Sequence, residues 1–174
     1  MVKKILIALV FPILVFGGSL SLQSGLIKAH TTVFGDSSID PAVTNIKADL
    51  SMNDSLESIR GSISFNLLDF TSSNTDRDEH MQEMFELKKF TNISLSIKSI
   101  NHTEKNNYTL YAIFTMHGVK KPLSIVTTIT QNANGIALNA NFSVKVSDYG
   151  MEAPSMLFFT VRDKVNVNAT LQLK

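Results

Sequence analysis

The densest group of side chains able to do chemistry is TDRDEHMQEMFE, Thr75–Glu86. Asp76, Asp78, Glu79, Glu83 and Glu86 offer oxygen ligands or acid–base groups, with Arg77 and His80 between them. Asp76-x-Asp78-x-His80 resembles the opening of a calcium loop, whose oxygen ligands alternate. That loop needs glycine at its sixth position and a bidentate glutamate at its twelfth, where this chain has Met81 and Leu87. His80 and Glu83 share one helical face, but no second Glu-x-x-His pair exists to complete a carboxylate-bridged metal site. The bland reading suffices: carboxylates gather where a helix begins because its dipole favours anions there.

Nucleophilic chemistry finds less support. Cysteine is absent, which removes thiol catalysis, disulfides and cysteine-based zinc or iron–sulfur sites. There is no G-x-S-x-G elbow, no H-E-x-x-H helix and no glycine-rich phosphate loop. The four histidines, His30, His80, His102 and His117, are scattered. His117 precedes Gly118 at the end of an apolar run and reads as a hydrogen-bonded turn residue. A dispersed, motif-free site using His80 or His117 as general base stays open as an alternative.

The elements that must position these residues are strands. VNVNATLQL (Val165–Leu173) and IALNANFSVKV (Ile136–Val146) alternate apolar with polar residues, as do Ile93–Ile97, Ile59–Leu67 and Leu123–Ile129. Period-two alternation marks antiparallel strands with one dry and one wet face. EKNN (Glu104–Asn107), HGVKKP (His117–Pro122) and NANG (Asn132–Gly135) separate such runs as turns, Asn134-Gly135 being a strong hairpin dipeptide. About eight strands are expected, with no internal repeat and no dividing linker. Only Thr75–Lys88 changes period: Met81, Met84, Phe85 and Lys88 fall at i, i+3, i+4 and i+7. Thr75 with Asp78 would make a capping box for that short helix. Periodicity does not separate a packed sandwich from a barrel with an apolar interior.

The N-terminus differs from the rest. MVKK is followed by an apolar run, Ile5–Gly17, and then by GGSLS. That is the layout of a cleavable signal peptide over residues 1–21, with scission after Ser19 or Ser21, and the run is short for a membrane span. Its loss removes Lys3 and Lys4, leaving 14 basic against 15 acidic side chains. A nearly neutral domain with 18% charged residues carries no nucleic-acid footprint. Export without disulfides points to a bacterial periplasm, and without cysteine the chain cannot be lipidated at one. Six Asn-x-Ser/Thr sequons follow from the Asn, Ser and Thr content.

Taken together, the motifs resemble the YceI-like family of exported lipid-binding proteins. TDRDEHMQEMF is similar to its Arg-Asp-x-His segment, and YAIFTMHGVKKPLSI to its strand–HGVxKP–strand hallmark. FSVKVSDYGM and VRDKVNVNATLQLK match its later strands, in the family's order over Asp69–Lys174. The front of the chain is more compact than the family pattern, with His30, Asp36 and Ile39–Pro41 in part of that role. The resemblance implies an all-β fold, an extended lipocalin-like antiparallel barrel with a helical insert near 75–88. It implies a single domain over 22–174 that carries or sequesters a polyisoprenoid, isoprenoid quinone or fatty-acid derivative, without enzymatic activity and without a cofactor or metal. In such a barrel the inward phase puts Phe65, Leu67, Leu95, Phe114, Met116, Ile125, Phe142 and Phe158 on the lining. Arg77, Asp78, His80, His117 and Gly118 carry over as signature positions, either meeting a lipid headgroup or fixing the insert to the barrel. The expected partner is a long-chain lipid rather than nucleic acid, with transient membrane contact and a homodimer both compatible.

Overall fold

In the computed structural model, residues 18–33, 37–152, 155–156, 159–160 and 162–174 are described. The apolar N-terminal run and Phe158 lie outside them. The strands are β1 (Gly18–Leu20), β2 (Leu22–Val33), β3 (Ser37–Ile39), β4 (Ala42–Val43), β5 (Ile46–Met52) and β6 (Arg60–Asn66). The helical insert α1 (Thr75–Met84) precedes β7 (Asn92–Glu104), β8 (Asn107–Met116), β9 (Val119–Asn132) and β10 (Gly135–Lys145). Two short strands, β11 (Ser155–Met156) and β12 (Phe159–Thr160), pair with each other before β13 (Lys164–Leu173). The strands of seven residues or more are β2, β5–β10 and β13. They fit the expectation of about eight strands; the others are short pieces that have no room for a period.

The main sheet is antiparallel and runs β1-β5-β6-β7-β8-β9-β10-β13-β2-β3. Both ends of that order belong to one stretch of chain, so the sheet curls on itself. Gly18–Leu20 pair with Met52–Leu50, while Leu22–His30 pair with Leu173–Asn166. Farther along, the free edge of β2 is taken up by β4, through Ile27↔Val43, and by β3, through Thr31↔Ile39. The result is a curled antiparallel barrel. The packed two-sheet sandwich left open by periodicity is not what forms: each long strand from β5 to β10 hydrogen-bonds its neighbour in one continuous ladder.

Hairpins follow local chemistry. His117 (φ 51) and Gly118 (φ 73) alone link Met116 to Val119, so both central residues of the turn have positive φ. That is a type I′ turn, whose twist suits flanking strands. At the β9–β10 turn only Gly135 (φ 123) takes positive φ; Asn134 does not, and its N–H instead reaches Asn132 Oδ1 at 2.8 Å.

Inside, two clusters of buried side chains stack along the barrel axis. One is largely aliphatic, with Leu20, Leu50, Ile59, Leu110, Ile129, Leu171 and Leu173. The other is richer in aromatics, with Phe65, Phe70, Phe85, Phe114, Met116, Val146 and Tyr149. β10 connects them: Ile136 sits opposite Leu173 at the aliphatic end and Lys145 opposite Lys164 at the other. At about 3.4 Å per residue that separates the two ends by roughly 30 Å.

α1 covers the aromatic end and is shorter than the 75–88 expected. Its N-cap is Asn74 rather than Thr75: Asn74 Oδ1 accepts from the Arg77 N–H at 3.0 Å. Asp78, freed from a capping box, turns back and accepts from the Ser72 N–H with both oxygens at 2.9 Å. The helix stops after Met84 because Glu86 adopts φ 46, the left-handed conformation common just past a helix end.

Candidate functional site

The barrel interior holds an apolar cavity of about 110 Å³. Phe65, Leu95, Phe114, Met116, Ile125 and Phe142, all expected on the lining, do line it. Each sits on β6, β7, β8, β9 or β10 in the inward phase of its strand. Leu67 is buried to 1% exposure but does not reach the cavity. β6 ends at Asn66, whose side chain accepts from the Leu68 N–H, so the strand alternation breaks before Leu67, which packs within the aromatic cluster instead of on the cavity wall.

Other lining residues carried a weaker signal. Val165, Val167, Ala169 and Leu171 come from β13, where alternation is clear but the side chains are small. Phe70 and Phe85 also line the cavity, from the coil after β6 and the end of the insert. Strand period cannot reveal them; their size and apolarity next to α1 are the only hint. Ser94 is the sole lining residue with a polar side chain among the described residues. Phe114 packs edge-on against Phe142, with centroids 6.1 Å apart, and against Tyr149 at 5.6 Å.

None of the signature residues lines this cavity. Arg77 is exposed, and its Nη1 donates to Ser38 O at 3.0 Å, tying α1 to β3. Asp78 is buried and holds Ser72. His80 is exposed, with Nδ1 2.6 Å from Asp76 O one helical turn back. No group of three His, Asp or Glu side chains is arranged to hold a metal among the described residues.

His117 and Gly118 form a second focus beside the insert. His117 Nδ1 lies 3.1 Å from Tyr149 O, and Nε2, buried and without a hydrogen-bond partner, faces Glu86 Oε1 at 3.8 Å. A hydrogen bond from the Lys89 ammonium, above all, holds the Glu86 carboxyl below its ordinary range. The His117 ring packs on Phe90 at 4.5 Å, and a Cβ on Gly118 would come within 2.6 Å of that same Phe90. Burial, with a smaller contribution from Asp148, pushes the Tyr149 phenol up. Lys121 pairs with Asp148 at 3.5 Å and sits 5.9 Å over the Tyr149 ring. The β8–β9 turn, the end of the insert and the turn after β10 are thus fastened at one point.

On the outer wall a shallow polar groove gathers Lys28, His30, Asp40, Asn141, Ser143, Asn166 and Asn168. His30 Nδ1 lies 2.5 Å from Asp40 Oδ1, and bonds from Ser38 and then His30 hold the Asp40 carboxyl low.

An antiparallel barrel, one end covered by a helical insert and its interior lined by aliphatic and aromatic side chains, has the architecture of a container for apolar molecules. The chain belongs to the YceI-like domain family, whose pattern it matches over residues 25–173. Among solved structures, BcnA of Burkholderia cenocepacia superposes with a TM-score of 0.76 at 13% identity, over 86% of this chain and 96% of that one. A polyisoprenoid-binding domain from Saccharophagus degradans gives 0.68 at 14% identity, over 90% and 97%. The YCEI protein of Campylobacter jejuni gives 0.61 at 16%, over 100% and 89%. At such identities these likenesses speak for the fold. No curated protein matches the chain by sequence.

Proposed function

We propose that this protein binds a long-chain amphipathic lipid, a polyisoprenoid, isoprenoid quinone or fatty-acid derivative, and carries or sequesters it in the periplasm after export, without modifying it. The observation that carries this reading is the cavity lining, apolar apart from Ser94. Burial of apolar surface contributes about 25 cal/mol per Å², so a chain of some twenty carbons can be held without any polar contact. The structural neighbour described as a polyisoprenoid-binding domain supports the same ligand class.

Magnitude adds a condition. A cavity of about 110 Å³ is smaller than the roughly 150 Å³ that takes up a single benzene. A long chain therefore enters only if Phe65, Phe114 and Phe142 change rotamer or the strands ease apart. Polar headgroups stay at a mouth, because the lining offers one hydroxyl and no charge. Arg77, Asp78 and His80 serve the fold of the insert in this reading, consistent with their bonds to Ser38, Ser72 and Asp76.

Native mass spectrometry and solvent extraction of protein recovered from the exported fraction test the proposal. The expected result is a co-purifying lipid, or uptake of an isoprenoid quinone or a fatty acid by the stripped protein. A protein that stays empty under both treatments overturns it.

A further inference from the structure

We infer that Gly18–Ser21 belong to the folded protein, and that processing of the exported chain cuts on the N-terminal side of Gly18. This rests on the export reading for its second half; the first half stands on the barrel alone. Spacing of small residues suggests scission after Ser19 or Ser21, yet both bonds lie inside the closure of the barrel. Gly18, Ser19 and Leu20 pair with Met52, Ser51 and Leu50. At the next residue the chain crosses to the other side of the seam: the Ser21 N–H donates to Lys174 O at 2.7 Å and the Lys174 N–H to Ser21 O at 2.9 Å. The Ser21 hydroxyl donates to the same Lys174 carbonyl at 2.9 Å.

A cut after Ser21 would remove all of this and uncover Leu50 and Leu173, which are 2% and 1% exposed. It would also leave the end of β5 an open edge. A cut after Ser19 is no better. The new α-ammonium would sit on Leu20, 7% exposed within the aliphatic cluster, and burying an unpaired charge is costly. At Gly18 neither problem arises: the residue is exposed, so its ammonium stays in water, and Gly17 and Val15 put short side chains at the first and third positions before the bond.

Two measurements decide it. N-terminal sequencing of the protein from the exported fraction is expected to begin at Gly18. A start at Leu20, Leu22 or later overturns the inference, and a chain still carrying Met1 overturns its processing half together with the cleavable-leader reading. Separately, recombinant chains starting at Gly18 and at Leu22 are compared by thermal unfolding. The shorter chain is expected to melt roughly 5–15 °C lower, several lost interactions each being worth about 2–4 °C in a domain of this size. Equal midpoints overturn the structural half, whatever the cell does with the leader.

Discussion

At the scale of single residues, the turn His117-Gly118 concentrates the most constraint. Gly118→Ala meets both a positive φ and the Phe90 ring, so a loss of about 1–3 kcal/mol is expected in urea unfolding. His117→Ala removes the bond to Tyr149 O as well as the Phe90 contact, whereas His117→Asn keeps a residue that tolerates the turn. The alanine variant is expected to lose more stability than the asparagine one; equal or reversed losses would mean that tolerance of positive φ does not set the cost there. One source of acid sensitivity is Asp163. Its carboxylate accepts from the Ser147 N–H and hydroxyl, both at 2.8 Å, which holds it below its ordinary value of 3.8. A lowered folded value means that the contribution is complete above about pH 4 and disappears as pH falls through the lower folded value. Melting temperatures from pH 7 to 3 are expected to decline mainly below pH 4, and Asp163→Asn to flatten that decline. An unchanged acid slope in Asp163→Asn would count against this role.

Among the elements, α1 tests what the charged cluster is for. Asn74→Ala is expected to cost about 1 kcal/mol, the usual worth of an N-cap. Asp78→Ala leaves the Ser72 N–H without its acceptor and is expected to cost about 1–3 kcal/mol. If the cluster fastens the insert, both variants keep their lipid capacity once folded; a selective loss of binding at unchanged stability would assign Asp78 to the ligand instead. The existence of this helix was legible from the change of period at Met81, Met84 and Phe85. Its cap was not, because Asn74 and Thr75 are both good caps and the choice depends on where Ser72 needs an acceptor. The long strands were legible for a simple reason: each has one dry and one wet face. β3, β4, β11 and β12 have too few residues for a period, and Leu67 fell on the wrong side of a strand end that depends on Asn66. Phe70 and Phe85 reach the cavity from outside the strands, where tertiary position alone decides what a side chain faces.

Over the whole molecule, the balance between a filled and an empty interior is the property to probe. Phe114→Ala would enlarge the cavity and is expected to lower stability by about 3–5 kcal/mol without ligand. A bulky lipid binds the folded state only, so saturating it should recover part of that loss and raise the variant's melting temperature more than the wild type's. Equal shifts in the two proteins would argue that the ligand does not occupy the space beside Phe114. The seam adds a directional consequence. Ser21 and Lys174 meet at the aliphatic end, while the aromatic end under α1 lies roughly 30 Å away along β10. Anything joined after Lys174 or ahead of Gly18, such as a fused reporter or a surface linker, is therefore attached at the pole opposite the insert. A molecule tethered by its start would hold the insert-covered end away from the point of attachment, so that end is the one left facing the surroundings.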